Sequence, residues 1–263
     1  MDALDGGVDA APDVGVADGA PEAAVEAEAG SPSYVEEVAA DAPASWWRFG
    51  ESDPSQAARD EMNVQAGTYE TPGITLGVPG AIAGDPNTAV SFDETSGTIK
   101  LSGDLYDLGG SPPFAIEVWV SPGPAPDADA SDPDRRIFSH RTDSPFFGWY
   151  LLLQPDQTLS FTRWDQNAVV GQLASPPLAT GAFSHVVVSS DGTTMTLYVN
   201  GASVDTEPAG AVTPNVSANA LTWGSNSDLS GQYFGGALDE GAIYGHALAP
   251  ARVLAHYHAG IGK

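Results

Sequence analysis

Phe183–Ser190, FSHVVVSS, and Met195–Asn200, MTLYVN, decide the fold class. Both runs are short, rich in β-branched and aromatic residues, and bounded by turn formers, which is how strands read in a sequence. Asp191-Gly192 separates them and Asn200-Gly201 follows, at the places where a tight hairpin sets residues at positive φ. The same texture extends outward from there. Upstream lie Asn87–Asp93 (NTAVSFD), Gly97–Leu101 (GTIKL), Phe114–Ser121 (FAIEVWVS), Arg136–Arg141 (RIFSHR), Gly148–Leu153 (GWYLLL) and Thr158–Trp164 (TLSFTRW). Downstream come Ala220–Gly224 (ALTWG) and Phe234–Tyr244. Helical periodicity is convincing only in Pro250–His258 (PARVLAHYH), where Pro250 suits a first turn and Gly260 a stop. Short strands without alternating βα units predict an all-β, two-sheet antiparallel jelly-roll sandwich with a short C-terminal helix.

Composition narrows the function. The chain has 263 residues, no Cys, 9 Lys+Arg against 35 Asp+Glu, and a formal net charge of −26. Absence of Cys removes disulfides, thiol nucleophiles and thiolate zinc sites. So acidic a chain is a poor nucleic-acid binder, because phosphate affinity rests on clustered Lys and Arg. It is repelled by anionic membranes, and no apolar run approaches the roughly 20 residues of a spanning helix. Partners are expected to be neutral, cationic or bridged by cations.

The charge is uneven. Residues 1–45 hold 11 Asp+Glu, 13 Ala and no Lys or Arg, and show no amphipathic period. This stretch is expected to be a disordered acidic linker, with the folded domain spanning 46–263. Tyr34–Ala40 is expected to form at most a transient helix, bracketed by Ser31-Pro32 and Pro43. No signal-peptide pattern is present, and the expectation is an exported protein whose secretion or lipoprotein signal was trimmed ahead of Met1, the alternative being an ordinary cytosolic acidic tail.

Several stretches together resemble one family. They are Trp47–Glu51 (WRFGE), Gly67–Tyr69 (GTY), Gly73–Gly80 (GITLGVPG), Asn87–Asp93, Phe114–Val120, Gly181–Val188 (GAFSHVVV), Asp191–Gly201 (DGTTMTLYVNG) and Gly235–Tyr244 (GGALDEGAIY). Ala247-Leu248 and His256-Tyr257 follow. In order and spacing they resemble the laminin-G-like, or concanavalin A-like, jelly-roll domains of bacterial secreted proteins. The resemblance spans about 46–263. It implies two curved antiparallel sheets, often a structural calcium ion, and a carbohydrate-binding or adhesive role outside the cell or in its envelope. The implied partner is a polysaccharide or glycan, with a cell-surface protein as another. The chain departs from the pattern at Phe183, where Trp is usual, at Ser184, where His is common, and at Ala249, where a capping Ser is usual. Gly241 replaces an aliphatic and is expected to weaken the last strand.

Because glycoside hydrolases share this fold, an acid pair must be sought. Hydrolysis needs two carboxylates about 5–10 Å apart across one bond. Same-face residues of a strand are i and i+2, so a Glu-x-Asp-x-x-Glu run would supply such a pair, and the sequence contains no such run. Glu117 is the only acid in FAIEVWV and is expected to face outward, solvated or paired with an Arg. Asp239 and Glu240 are neighbours and are expected to point to opposite faces. No enzyme is expected. His140, His185 and His246 are single, and each is expected to be a partly buried, hydrogen-bonded residue. His256 and His258, two apart on a helix, diverge.

The resemblance implies a calcium that ties the first strand to the last, and Glu51, Asp60 and Asp239 occupy the matching positions. The alternative for Asp239 is a turn cap or a pair with Arg48 or Arg252. Asp127–Asp134 (DADASDPD) reads as a solvated loop.

Strand parity supplies the ligand candidates. Ser160, Thr162 and Trp164 share a polar face with one large ring, suited to stacking a sugar among hydrogen-bonding neighbours. Tyr150, Trp164, Gln166 and Asn167 form the expected patch, the alternative being a Trp packed under a loop at 165–172. Trp47, Trp119 and Trp149 are assigned to the core. Two functions stay open, a non-catalytic carbohydrate-binding or adhesion module and a structural spacer that binds nothing small.

Overall fold

Asn200 and Gly201 sit at φ 52° and 78°, and this two-residue turn folds strand β12 (Thr194–Val199) onto strand β13 (Ala202–Pro208) with Val199 opposite Ala202. The computed structural model describes Met1 and residues 31–102, 105–106, 108–126, 133–142, 144–213 and 219–263. Residues 2–30, expected to be disordered, and 127–132 of the acidic loop lie outside the described residues.

Two antiparallel sheets form a sandwich. The first runs β13, β12, β11 (Ser184–Ser190), β6 (Phe114–Pro122), β15 (Gly235–Tyr244), β4 (Thr88–Asp93) and β3 (Ile74–Pro79), with the short β1 (Ser45–Trp47) also paired to β15. The second runs β10 (Ala168–Ala174), β9 (Leu159–Asp165), β8 (Gly148–Leu153), β7 (Arg135–Arg141), β14 (Leu221–Trp223), β5 (Thr98–Leu101) and β2 (Thr68–Glu70). Period-two alternation sends Ile116, Val118 and Val120 of β6 and Trp149, Leu151 and Leu153 of β8 into one core between the sheets. Trp223 is stacked on Phe138 there, with centroids 3.7 Å apart and planes at 5°. Gly241 faces this core: a Cβ would come within 2.7 Å of the Trp223 ring. The glycine that reads as a weakness is a fit.

A second apolar layer lies on the outer face of the eight-stranded sheet, under helices α1 (Tyr34–Ala40) and α2 (Pro250–Gly260). Two expectations fail in this layer. The folded unit begins at Ser31, not Trp46. Ser33-Tyr34-Val35-Glu36 is a capping box, in which Ser33 N donates to Glu36 Oε2 (2.7 Å) and Glu36 N to Ser33 Oγ (3.3 Å). Tyr34 and Val38 are buried, so α1 is docked rather than transient.

Glu117 is the second correction. It is fully buried, and its carboxylate collects Tyr34 Oη (3.0 Å), Tyr244 Oη (2.6 Å), His185 Nε2 (2.7 Å) and His256 Nδ1 (3.0 Å). A charge on the outward face is covered here because two helices close over that face. His256 is buried and His258 exposed, as their spacing requires.

Candidate functional site: the outer face of the seven-stranded sheet

Ladder register sets this face. Trp164 lies opposite Gly148 and Val169, Thr162 opposite Tyr150 and Gln172, and Ser160 opposite Leu152. Leu159 and Phe161 point the other way into the core. Arg163 also points inward, where it donates to the carbonyls of Ala209 (2.6 Å) and Leu108 (2.7 Å), and burial pushes its pKa down to about 10. On the outer face Ser160 Oγ and Thr162 Oγ1 are 3.2 Å apart, and exposed Gln172 Nε2 donates to both at 3.2 and 3.4 Å. The two hydroxyls are buried, at 4% and 1% exposure, so the row presents the Gln172 amide to solvent with Trp164 at its end.

Trp164 is half-buried and makes an edge contact with Phe146, centroids 5.4 Å apart. Phe146 is half-buried too, so the two rings form an aromatic corner. Its Phe146 side is pinned by Asn167, whose Oδ1 accepts from Phe146 N (2.8 Å) and whose N donates to Phe146 O (3.1 Å). Gln166 and Asn167, at φ 47° and 70°, are the two-residue turn joining β9 to β10. The stretch 165–172 is therefore mostly a strand, and Trp164 packs beside Phe146 rather than under a loop. Tyr150 is 7% exposed, and the Arg136 guanidinium stacks over its ring at 3.6 Å. Of the four expected ligand residues, Gln166 is exposed, Trp164 is half-buried against Phe146 with its Nε1 buried, Asn167 holds the corner, and Tyr150 lies beneath an arginine. Phe146 was missed, because it precedes β8 in a loop with no alternation to place it.

The three expected metal ligands do not converge. Asp60 is saturated: Oδ1 accepts from Trp46 N and Met62 N, both at 2.9 Å, and Oδ2 from Ser45 Oγ (2.7 Å), Gln65 N (2.8 Å) and Val64 N (3.0 Å). It anchors its own loop to β1. Glu51 accepts from Arg59 N (2.8 Å) and Tyr69 Oη (2.6 Å). Among the described residues no three His, Cys, Asp or Glu side chains form a metal-binding group. Asp239 differs. It is 1% exposed, Oδ2 accepts from Ala81 N (2.7 Å), and Oδ1 has no hydrogen-bond partner. Burial, then the neighbouring Glu240, push its pKa up to about 8.

Nor do Asp239 and Glu240 point to opposite faces. A bulge between Asp239 and Ala242 inserts an extra residue, and Glu240 has φ 53°. Glu240 is buried, accepting from Trp46 Nε1 (2.7 Å) and Arg48 Nη2 (2.7 Å), while Arg48 also reaches Asp85 (2.8 Å). Burial pushes its pKa up to about 7 against that pairing. Arg252 binds Asp41 (2.8 Å) and Glu37 instead of Asp239.

Residues 93–254 match the sequence profile of the concanavalin A-like lectin/glucanases superfamily. The chain belongs to that superfamily. As a member, it resembles solved binding domains at low identity. The receptor binding domain of botulinum neurotoxin type G aligns with a TM-score of 0.58 at 13% identity, over 82% of this chain and 50% of that one. The binding domain of Paraclostridial Mosquitocidal Protein 1 aligns with a TM-score of 0.60 at 15% identity, over 81% and 51%. The lectin-like chain thus spans about half the length of those domains. Domain 4 of AbnA, a GH43 extracellular arabinanase from Geobacillus stearothermophilus solved with arabinotriose, aligns with a TM-score of 0.51 at 20% identity, over 81% of this chain and 97% of that one. No curated protein matches this superfamily member by sequence. Among the described residues, no helix is long and apolar enough to cross a membrane.

Proposed function

We propose that the domain is a non-catalytic carbohydrate-binding module of an exported bacterial protein, holding a neutral polysaccharide on the outer face of its seven-stranded sheet. The observation that carries this reading is the Trp164–Phe146 corner at the end of the Ser160–Thr162–Gln172 row. An aromatic face takes the apolar side of a sugar ring, and the exposed Gln172 amide beside it takes OH groups, held from beneath by the buried Ser160 and Thr162 hydroxyls. A net charge of −26 favours a neutral glycan over an acidic one. Superfamily membership and likeness to a domain solved with arabinotriose support it as analogy. Binding without cleavage is supported by the burial of Glu117, Asp239 and Glu240 under the outer layer of the opposite sheet, which keeps these three acids from flanking a bound chain. Depletion of the domain from solution by insoluble arabinan, xylan or cellulose, lost in Trp164→Ala, tests the reading; no depletion by any of them contradicts it.

A spacer that binds nothing small is favoured by one observation, the use of Tyr150 and Asn167 inside the fold. The same depletion experiment separates the two.

We further propose a structural divalent cation, calcium by its preference for hard oxygen ligands, on Asp239. The free Oδ1 of this buried carboxylate supports it. When bound, such an ion supplies the positive charge that Asp239 and Glu240 lack beyond Arg48. Glu51 and Asp60 are not part of this proposal.

A further inference from the structure

We propose a second sugar-holding site on the opposite side of the sandwich, in a groove of about 360 Å³ between the outer face of the eight-stranded sheet and the lead-in to α2. This inference rests on the carbohydrate-binding reading and extends it from one face to two. The groove is at the lower end of ligand-pocket sizes, about 300–1,000 Å³. One wall is a hydroxyl row: Ser189 of β11 and Thr194, Thr196 and Tyr198 of β12. The other wall is apolar, with Leu248 and Pro250. Ser189 Oγ donates to Leu248 O at 3.0 Å and so fixes the two walls together.

Two features inside the groove ask for a ligand independently of its shape. Tyr198 is 6% exposed, and its hydroxyl has no hydrogen-bond partner among the described residues. At the groove's end α2 starts without a cap, because Ala249 offers no side-chain acceptor and the first turn holds no acid. Pro250 has no N–H, and Arg252 N (2.8 Å) and Val253 N (3.1 Å) donate to Ala249 O, so the N–H of Ala251 is the one in that turn left to take an oxygen acceptor. An acidic ligand is disfavoured, because Asp191 also lines the groove. Asp191 Oδ1 is taken by Thr193 N, Thr193 Oγ1 and Thr194 N at 2.7–2.8 Å. Its other oxygen is left to accept an OH. Hydroxyls that donate and accept, one carboxylate, the Ala251 N–H and an apolar wall together suit a neutral sugar, whose OH groups do both and whose ring has an apolar face.

Sites on the two outer faces would let one domain bridge two polysaccharide chains, or raise avidity on one. The test is a ¹H–¹⁵N titration of the full chain with three neutral trisaccharides, arabinotriose, xylotriose and cellotriose. The expected result is shifts at Thr194, Thr196 and Tyr198 for at least one sugar, persisting in Trp164→Ala. Tyr198→Phe should weaken that set about fivefold, as for one uncharged hydrogen bond. Thr196→Tyr, which fills the groove from a half-exposed strand position, should abolish it. Shifts confined to Trp164 and its neighbours, and gone in Trp164→Ala, would overturn the groove and leave the first site standing. Shifts at the groove that neither Tyr198→Phe nor Thr196→Tyr alters would overturn it as well. Shifts nowhere, together with no depletion by polysaccharide, would remove the carbohydrate reading and the groove with it.

Discussion

His256 Nδ1 lies 3.0 Å from Glu117 Oε2, and this buried contact fastens the C-terminal helix to the centre of the eight-stranded sheet. Burial disfavours the Glu117 carboxylate, but His256 and His185 beside it hold it well below its usual range. Burial likewise disfavours the His256 imidazolium, and Glu117 outweighs it, so its pKa is raised. A depressed carboxylate gives stability above its unfolded pKa, lost as pH falls through the folded value; a raised imidazole gives stability below its unfolded pKa, lost as pH rises through the folded value. The pair therefore contributes most between the ordinary values of 4.5 and 6.5. Glu117→Gln removes a buried charge partner, an effect of about 3–5 kcal/mol. Melting near pH 6 should fall by roughly 10 °C, and the loss of stability above pH 6.5 that comes from His256 should shrink to the part that Asp41, 2.9 Å from His256 Nε2, sustains. A change under 2 °C would show that the network carries little.

The helix α1 belongs to the same fastening. Tyr34 donates to Glu117 at 3.0 Å, and Glu37 and Asp41 bind Arg252. A chain starting at Ser45 should melt well below one starting at Ser31, because Tyr34 and Val38 leave an uncovered apolar surface. Equal melting would mean that α1 adds nothing.

Most of the sandwich was legible from alternation alone. Gly148–Leu153 is strand β8 residue for residue, and α2 overruns its expected end by two residues. What alternation could not show were the edge strands β10 and β13, whose side chains stay largely exposed and whose residues do not alternate between apolar and polar. Nor could it show α1. Its buried residues are Tyr34 and Val38, a single i, i+4 pair too short to register, although the Ser33–Glu36 capping box was there to be read. Glu117 was misplaced because parity fixes a face and says nothing of what covers it.

Gly241 is expected to resist substitution. A Cβ there meets the Trp223 ring at 2.7 Å and Phe49 at 3.2 Å, in a core with rings on three sides. Gly241→Val should cost about 1–3 kcal/mol through overpacking. Thermal melting within a degree of wild type would show that the strand shifts to accept it.

Asp239 gives the cation proposal its sharpest sign. A buried carboxylate with a raised pKa binds its proton more tightly folded than unfolded, so stability falls as pH climbs from about 4 toward 8 unless a cation compensates. In metal-free protein at pH 7.5, Asp239→Asn should therefore melt higher than wild type. Calcium at a hundredfold excess over Kd should add roughly 2.7 kcal/mol to wild type and nothing to the variant. Equal wild-type melting with chelator and with calcium, at fixed ionic strength, would remove the ion and leave Asp239 a buried neutral acid.

The binding face was half legible. Trp164 with Ser160 and Thr162 followed from parity, and the structure keeps them on one face. Phe146 and the roles of Tyr150 and Asn167 depend on a loop and an arginine brought in from other strands, which spacing along one strand does not encode. The central claim is that this face holds a neutral polysaccharide through Trp164. Affinity gel electrophoresis of wild type and Trp164→Ala, through gels containing soluble arabinan, arabinoxylan or a soluble cellulose derivative, measures it directly. At least one polysaccharide should retard the wild type, and Trp164→Ala, folded by its melting curve, should run as in an empty gel. Equal retardation of both proteins, or of neither in every gel, would contradict it.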